Sequence, residues 1–490
     1  MSDPTDSHHE ERAPAGRMPR WYAQTLWLGS VSLVISEIGF VGEVTPLLKW
    51  GTALLVFLFG LEQWVGLREC RNWRSHVRDR ALHLVVAVVT VVLMMALLSI
   101  ESALGEVNKI TLLLYGLVQG SIFTALNLRA LRHQARLTAL KLRPGWLFMG
   151  SFALIIILGM LMLKLPRAVV DGAHLSWLNA LFTSTSAVCV TGLAVENTAQ
   201  FFSPTGQIIL LGLIQIGGLG IMTITFYLAT MLFQGMSMND RQLLGEMISE
   251  KHLAQVSHAL RFIILFTFIS EALGAVWLFF SLPVDRGYSE RVFQAVFHSV
   301  SAFCNAGFST LPDGLADTWV QGNVSVQAAI STLVILGGLG SLVIRDSLAW
   351  LRAWVRRKRD PANPRARLRV HTRLVLWITF VLLFGGALAV LASEFFMHSG
   401  KQNGGMLLTA FFHSMTARTA GFNTVDMGSL GAVSVHILML LMLIGGSPGG
   451  TAGGMRTTVF AISALHLWNQ LRMIPHLVLF RRRLPSEVGG

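Results

Sequence analysis

Three short segments of this chain carry residues whose backbone could strip water from a small cation, although none of them contains an acidic side chain. Their cores are Val190-Thr191-Gly192, Asn305-Ala306-Gly307 and Thr419-Ala420-Gly421. Glycine permits a positive φ and close backbone approach, so carbonyl oxygens here can point inward and replace the hydration shell of an alkali cation. A helix that ends just before each core would add the partial negative charge of its C-terminus.

The three cores belong to a longer segment that recurs at a regular interval. Stacked without gaps, residues 181–195, 296–310 and 410–424 share a Phe at the second position and a Gly at the twelfth. The shared phenylalanines are Phe182, Phe297 and Phe411. The shared glycines lie 115 and 114 residues apart, which indicates internal duplication. A single glycine would favour simple close packing of helices, whereas three in the same context favour a pore.

The composition predicts an all-α polytopic membrane protein. Of the 490 residues, 53% are hydrophobic and 13% are charged, about half the charged fraction of roughly 25% in soluble proteins, and the mean hydropathy is +0.58. Several apolar runs are long enough to cross a bilayer core of about 30 Å. The net charge of +13 lies mainly in short loops, as the positive-inside rule requires, so it does not indicate a nucleic-acid partner.

The apolar runs predict four N-terminal spans followed by three tandem repeats, each made of a helix, a pore loop and a second helix. The spans lie near 24–47, 50–67, 82–100 and 110–128. The predicted divisions are a cytoplasmic tail (1–23), an N-terminal transmembrane extension (24–145), repeat 1 (146–233), repeat 2 (234–350), repeat 3 with a broken second helix (351–475) and a cytoplasmic C-terminal tail (476–490).

Basic clusters fix the predicted orientation. They lie at 68–80, 129–143, 352–373 and 481–483, and placing them in the cytoplasm puts the N-terminus inside and the three glycine cores on the outer side. This alternation requires each core segment to enter and leave on the same side. A membrane tolerates such a re-entrant loop only where protein or a water-filled cavity covers its backbone.

The chain resembles the Trk/Ktr/HKT superfamily of potassium transporters, and most of all its Ktr-type membrane subunit. The matching stretches are TSAVCVTGLAV, LIQIGGLGIMT, SAFCNAGFST, TARTAGFNTVD, IGGSPGGTAGGMRTT and FRRRLP, within residues 146 to 485. The resemblance implies K⁺ uptake, often Na⁺-dependent, through channel-like repeats around a central pathway. It implies that Gly192, Gly307 and Gly421 supply the carbonyls of a K⁺ selectivity filter. A Gly in the first repeat is typical of K⁺-selective members.

A glycine-rich segment interrupts the second helix of repeat 3. It comprises Gly445, Gly446, Ser447, Pro448, Gly449, Gly450, Thr451, Ala452, Gly453 and Gly454. So many Gly residues and a Pro make a poor helix interior, so unwound backbone here is expected to line the pore. The resemblance implies a mobile gate beneath the filter. The alternative is a kinked structural helix, and a nucleotide-binding loop is disfavoured because GK[ST] is lacking.

The family has four repeats, and only 36 residues follow Gly454, so a fourth repeat is expected to be missing. Two functions therefore stay open at this stage. The first is gated K⁺ uptake. The second is a non-conducting truncated or regulatory assembly subunit of such a transporter. A membrane-embedded enzyme is disfavoured because no acid–base or metal cluster is visible.

Several other residues merit an expectation. Arg418 abuts the third core, where it could repel cations, pair with an acid or support the filter, and we favour support. Cys189 and Cys304 fit packing better than metal binding, and His298 and His413 fit satisfied polar residues better than pH sensors. Glu271 and Glu394 lie in the first helices of repeats 2 and 3, without an assignable partner.

The resemblance also implies partners and location. We expect a homodimer on a cytoplasmic RCK-type ring that carries the only nucleotide, and no covalently bound cofactor. K⁺ is the transported ion and Na⁺ a possible coupling ion. Residues 352–373 are expected to contact lipid head groups. The predicted location is a bacterial inner membrane.

Overall fold

The computed structural model describes a large part of the chain at residue level. The described residues are 51–58, 90, 92, 118, 144–234, 251–283, 287–317, 320, 322–359, 368–397, 406–472, 478–479 and 482–483. The predicted N-terminal spans therefore lie almost wholly outside the described residues, apart from a helical stretch at 51–58. The chain divides into two compact units, and the second, Gly145–Lys164 with Ala168–Gly490, carries the features below.

The described part is all-α apart from one two-residue strand pair, and the chain is a polytopic membrane protein. The helices of the first repeat are α1 (Pro144–Leu163), α2 (Trp177–Val188), α3 (Thr198–Phe201) and α4 (Pro204–Gln234). Those of the second are α5 (Lys251–Ser281), α6 (Tyr288–Phe303) and α7 (Val324–Arg359).

The third repeat has four helices because its second long helix is interrupted. They are α8 (Val370–Met397), α9 (Met406–Thr416), α10 (Ala432–Leu443) and α11 (Thr457–Leu471). Short 3₁₀ turns occur at Pro166–Ala168, Gly314–Ala316 and Met427–Ser429. Strands β1 (Val478–Leu479) and β2 (Arg482–Arg483) pair antiparallel.

Four of the described helices contain stretches long and apolar enough to cross a membrane. These stretches are Pro204–Thr223, Leu260–Ser281, Val324–Val355 and Val370–Phe396. The short helices α2, α6 and α9 are too short to span a core of about 30 Å. Each lies between two longer helices of its repeat, which is the arrangement of a re-entrant pore loop.

The second repeat lies between the other two. Helix α6 packs against α4 of the first repeat, and α7 packs against α8 and α9 of the third. The largest apolar core follows this order, since it joins Met222 of the first repeat, Phe303 of the second and Phe412 of the third. The short helices are therefore held side by side around one centre.

Candidate functional site

The three glycine cores lie together in the fold; we call Val190–Gly192, Asn305–Gly307 and Thr419–Gly421 the glycine turns. A Cβ added to Gly192 would lie 2.6 Å from the carbonyl oxygen of Ala306 and 3.4 Å from the Cα of Gly307. One added to Gly307 would lie 2.7 Å from the carbonyl oxygen of Ala420 and 3.0 Å from the Cα of Gly421. The glycine turns, which lie 114 and 115 residues apart in sequence, thus contact one another through backbone atoms.

Each glycine turn has the same alternating backbone. The first residue has a positive φ, 56° at Val190, 58° at Asn305 and 76° at Thr419. The third residue is a glycine with φ of 81°, 71° or 77°. Non-glycine residues seldom adopt such angles, and Val with its branched Cβ does so least readily. Repetition of this strained pattern indicates that the backbone direction at the turns matters for function.

One or two residues separate the end of each short helix from its glycine turn. Helix α2 ends at Val188, α6 at Phe303 and α9 at Thr416. The unpaired carbonyls of a helix C-terminus carry a partial negative charge. The three turns therefore combine backbone oxygens with three helix C-termini and, in their nine residues, no charged side chain.

Serines anchor the short helices to the first long helix of each repeat. Ser184 donates to the carbonyl of Ile156 at 2.7 Å, Ser299 to that of Glu271 at 2.6 Å, and Ser414 to that of Leu383 at 2.8 Å. Three residues after each acceptor lies a glycine that makes room for the serine hydroxyl: Gly159, Gly274 and Gly386. The same joint is built three times.

A second set of glycines, in the second long helices, allows the short helices to approach closely from the other side. A Cβ at Gly217 would collide with the carbonyl oxygen of Val188, and one at Gly337 with that of Phe303. The short helices of the first two repeats, α2 and α6, are therefore each held between a glycine of the first long helix and a glycine of the second. Such close backbone approach is what small residues provide in membrane helix packing.

The gapless stacking of the three segments is wrong by one residue in the third repeat. Phe412, not Phe411, corresponds to Phe297, since both Phe297 and Phe412 are fully buried while Phe411 is half-buried. The anchoring serine precedes the turn glycine by eight residues in the first two repeats and by seven in the third. Accordingly, Ala306 donates to Ser301 five residues back, but Ala420 to Thr416 only four back.

The glycine-rich loop, residues 445–454, lies between α10 and α11 and contacts two of the glycine turns. The amide of Gly453 donates to the hydroxyl of Thr419 at 3.0 Å. The side-chain amide of Asn305 donates to the hydroxyl of Thr451 at 2.6 Å, and that hydroxyl donates to the carbonyl of Phe303 at 3.2 Å. These partners are the last residue of α6 and the first residues of two turns, so the loop lies at the end of the turns where the short helices finish.

Helix α7 is kinked at Gly340 to receive this loop. Gly340 has a φ of 77°, and a Cβ there would lie 2.6 Å from the backbone of Gly449 and Gly450. The kink frees two helix carbonyls for the loop: Gly338 accepts from the amide of Ser447 at 2.9 Å, and Gly337 from that of Thr451 at 3.2 Å. The loop amides thus find partners away from water.

Arg418 contacts the loop, and among the described residues no acidic side chain forms an ion pair with it. It is nine-tenths buried, and one guanidinium nitrogen lies 3.5 Å from the carbonyl of Gly445. Arg456 contributes shorter bonds to the same loop, at 2.8 Å to the carbonyl of Ala452 and 3.3 Å to that of Ser447. The two guanidinium groups together neutralise backbone carbonyls that have no helical partner.

A small cavity beside the loop has mainly apolar walls that include three polar side chains. Its lining includes Asn305, Thr379, Arg418 and Gly446. Asn305 Oδ1, Thr379 Oγ1 and Arg418 Nε are buried and have no hydrogen-bond partner among the described residues. Polar groups of this kind suit an ordered water better than an apolar filling.

The remaining predicted residues have structural partners. Cys304 is buried with its thiol 3.8 Å from Glu271 Oε1, and Cys189 is exposed. His298 contacts the Gln294 carbonyl and the Ser309 hydroxyl at 2.8 Å each, whereas His413 has Nδ1 unpartnered among the described residues. Glu394 accepts from the Gly431 amide at the start of α10. Among the described residues no group of three His, Cys, Asp or Glu could hold a metal ion.

Sequence reasoning missed the three anchoring serines, the kink at Gly340 and the role of Thr451. The serines carried a weak signal, because an FHS triplet occurs at 297–299 and again at 412–414. Thr451 was assigned to the loop, but its two partners in the second repeat are 146 and 148 residues away. Contacts over such distances have no local signature in one sequence.

The fold and the site together define a membrane protein whose re-entrant segments converge on a centre lined by backbone. The family model described as "TrkH: Cation transport protein" matches residues 118–483. The chain belongs to this family of cation transporters, which is not a family of enzymes.

Named relatives agree with this assignment. The chain is 36% identical to Ktr system potassium uptake protein B of Vibrio alginolyticus over 337 residues, 68% of this chain and 70% of the relative. It is 34% identical to potassium/sodium uptake protein NtpJ of Enterococcus hirae, over 67% of this chain and 70% of the relative. The crystal structure of the potassium transporter TrkH from Vibrio parahaemolyticus shares the fold, with a TM-score of 0.52, 18% identity, and coverage of 84% of this chain and 80% of that one.

Proposed function

We propose that this chain takes up K⁺ across the membrane through a pathway that passes the three glycine turns. The observation that carries this proposal is their convergence: Gly192 meets the second turn, and Gly307 meets the third, through backbone atoms alone. Carbonyl oxygens in such a ring can replace the water of an alkali cation. The relatives named as potassium uptake proteins support K⁺ as the ion.

The glycine-rich loop is proposed as the gate of this pathway. It lies at the inner ends of the second and third turns and is bonded to both. An ion that leaves the turns toward the cytoplasm would have to pass it. The loop is also joined to α7 by backbone bonds to Gly337, Gly338 and Ser341, so its displacement requires these bonds to break as well.

The proposed setting follows the charge distribution. We place the chain in a bacterial inner membrane with its N-terminus in the cytoplasm, because the basic clusters then face the cytoplasm. A homodimer, a cytoplasmic RCK-type nucleotide-binding ring and Na⁺ coupling remain predictions from the resemblance. A relative named for potassium and sodium makes Na⁺ the first coupling ion to test.

Reconstitution of the full chain in vesicles tests the proposal. The vesicles are loaded with K⁺, and uptake of radioactive Rb⁺, a K⁺ substitute, is measured. Vesicles that contain K⁺ but no protein give the baseline. Uptake that K⁺ inhibits, and that Gly307→Ala abolishes, is expected. Absence of uptake, combined with altered uptake by a full-length relative expressed with this chain, would instead favour the non-conducting assembly subunit.

A further inference from the structure

We propose that Thr451 is a latch that couples the position of the glycine-rich loop to the ion preference of the second glycine turn. This inference rests on the proposed function and adds a regulatory role at the same site. It starts from one hydroxyl with two partners in the second repeat. Thr451 Oγ1 accepts from Asn305 Nδ2 at 2.6 Å and donates to the Phe303 carbonyl at 3.2 Å.

One partner ends the short helix that leads into the second turn, and the other begins the turn itself. Phe303 is the last residue of α6, and its carbonyl is one of those that face the turn without a helical partner. Asn305 is the first residue of the turn, with a φ of 58°. Asn tolerates this left-handed conformation better than most residues, and here its side chain is held by the loop rather than by its own turn.

The latch is buried and tightly placed. Asn305 is 1% exposed and Thr451 2% exposed, so water does not compete for these bonds. The backbone amide of Thr451 also donates to the Gly337 carbonyl in α7. One loop residue therefore joins the end of α6, the second turn and the kinked helix.

Displacement of the loop would change the second turn. The Asn305 amide would lose its donor contact and the Phe303 carbonyl its hydroxyl. A buried donor left unpaired is costly, so the turn would relax to find new partners. The carbonyl positions that discriminate K⁺ from Na⁺ would then be less fixed. By thermodynamic linkage, a bound K⁺ that orders the turn would in return favour the latched loop.

The third turn has a comparable but simpler link. Its first residue, Thr419, offers a hydroxyl that accepts from the Gly453 amide at 3.0 Å. Here the turn supplies the acceptor and the loop backbone the donor, so only one bond would be lost. The second turn, with two bonds to one side chain, is therefore the more sensitive reporter of loop position.

Four variants test the latch. Thr451→Val removes the hydroxyl, and Thr451→Ser retains it. Asn305→Gly removes the amide from the opposite side while tolerating the positive φ. Thr332→Val is the matched control, because among the described residues this exposed threonine of α7 bonds only within its own helix, at 2.8 Å to the Ala328 carbonyl.

The measurement is uptake of K⁺ and of Na⁺ into vesicles carrying the full chain. Thr451→Val and Asn305→Gly are each expected to raise K⁺ uptake and lower the K⁺-to-Na⁺ ratio by about threefold to tenfold, the range for one or two lost hydrogen bonds. Thr451→Ser should keep the ratio near that of the parent, and Thr332→Val should match the parent. The double variant Thr451→Val/Asn305→Gly should resemble Thr451→Val, because Thr451→Val already removes the contact that Asn305→Gly removes.

Specific outcomes would overturn the latch. They are equal ratios in Thr451→Val and Thr451→Ser, a change of rate with no change of ratio, or effects of Thr451→Val and Asn305→Gly that multiply in the double variant. Each variant is first checked for a monodisperse peak in size-exclusion chromatography. If Thr451→Val misfolds, Asn305→Gly alone tests the contact between the loop and the second turn.

Failure of the proposed function gives a different result. The parent chain itself would then show neither K⁺ uptake nor a rise of its unfolding temperature with added K⁺. The other case is a parent chain that shows both K⁺ uptake and a K⁺-dependent rise of its unfolding temperature. If the variants then keep the K⁺-to-Na⁺ ratio of the parent, the latch is contradicted and the proposed function is not.

Discussion

At the scale of single residues, the glycine turns owe their shape to positions where a side chain has no room. A Cβ added to Gly192 or to Gly307 would point at the backbone of the next turn. The residues two positions earlier adopt positive φ although they carry side chains. These strained positions, rather than any charged group, set the chemistry proposed for the site.

Gly192→Ala is expected to lower Rb⁺ uptake by at least about tenfold. The added methyl would lie 2.6 Å from the Ala306 carbonyl at a φ of 81°, and a positive φ alone costs an alanine about 1–2 kcal/mol, close to the 1.4 kcal/mol that corresponds to tenfold. Gly212→Ala in α4 is the control, since no atom of the described residues lies within 4 Å of its added Cβ. Equal loss of uptake in both variants would mean that the turn geometry is not what matters.

The glycine turns were predictable from the sequence, but their first residues were not. Glycines at matched spacing stand out in one chain. The positive φ of Val190 does not, because branched residues normally avoid it. The shorter third turn was also missed, because stacking on the glycine places Phe411 where the structure places Phe412.

At the scale of elements, each short helix is fixed to the first long helix of its repeat by a serine and a glycine, and α2 and α6 also meet a glycine of the second long helix. The third repeat offers a sharp test, because Gly385 and Gly386 are neighbours with different surroundings. A Cβ at Gly386 would collide with the Ser414 hydroxyl and lie 2.7 Å from Leu441 Cδ1, whereas one at Gly385 meets nothing within 4 Å.

Gly386→Ala is therefore expected to destabilise the protein by about 1–3 kcal/mol through overpacking, whereas Gly385→Ala should be neutral or slightly stabilising in a helix interior. Thermal unfolding of the purified protein in detergent, followed by size-exclusion chromatography, measures the difference. Identical unfolding temperatures would argue against the serine joint.

The kink of α7 gives a second test at this scale. Gly340→Ala is expected to displace the glycine-rich loop, because its methyl would lie 2.6 Å from the loop backbone and its φ is 77°. Gly338→Ala is the comparison, since the nearest atom to its added Cβ is 3.9 Å away. The loop contains no Lys or Arg, so a protease of broad specificity such as proteinase K is used in detergent. It should cleave the loop of Gly340→Ala faster, and equal cleavage would show that the kink does not hold the loop.

The elements differ in how far the sequence predicts them. The break between α10 and α11 follows from composition, because six glycines and a proline within ten residues cannot form a good helix. The kink at Gly340 does not follow, because the same GGLG sequence occurs at 217–220 within the unbroken helix α4. It depends on a loop about 110 residues further along the chain, which only the folded structure brings into contact.

At the scale of the whole molecule, the three glycine turns meet at one centre, and the second repeat contacts both the first and the third. This order explains the different burial of the turns. Asn305 and Ala306 are buried, whereas Thr191 of the first turn and Gly421 of the third are exposed. The loop completes the arrangement from the inner end. The molecule thus combines a proposed filter and a proposed gate in one layer of directly bonded residues.

The most direct test is to locate the ion. Crystals or single-particle samples of the full chain are prepared in Tl⁺ or K⁺ and compared with samples in Na⁺. The account predicts a K⁺-dependent or Tl⁺-dependent peak among the carbonyls next to Gly192, Gly307 and Gly421, above the glycine-rich loop. A preparation that takes up Rb⁺ but places its ion elsewhere, with the three turns facing lipid, would contradict it.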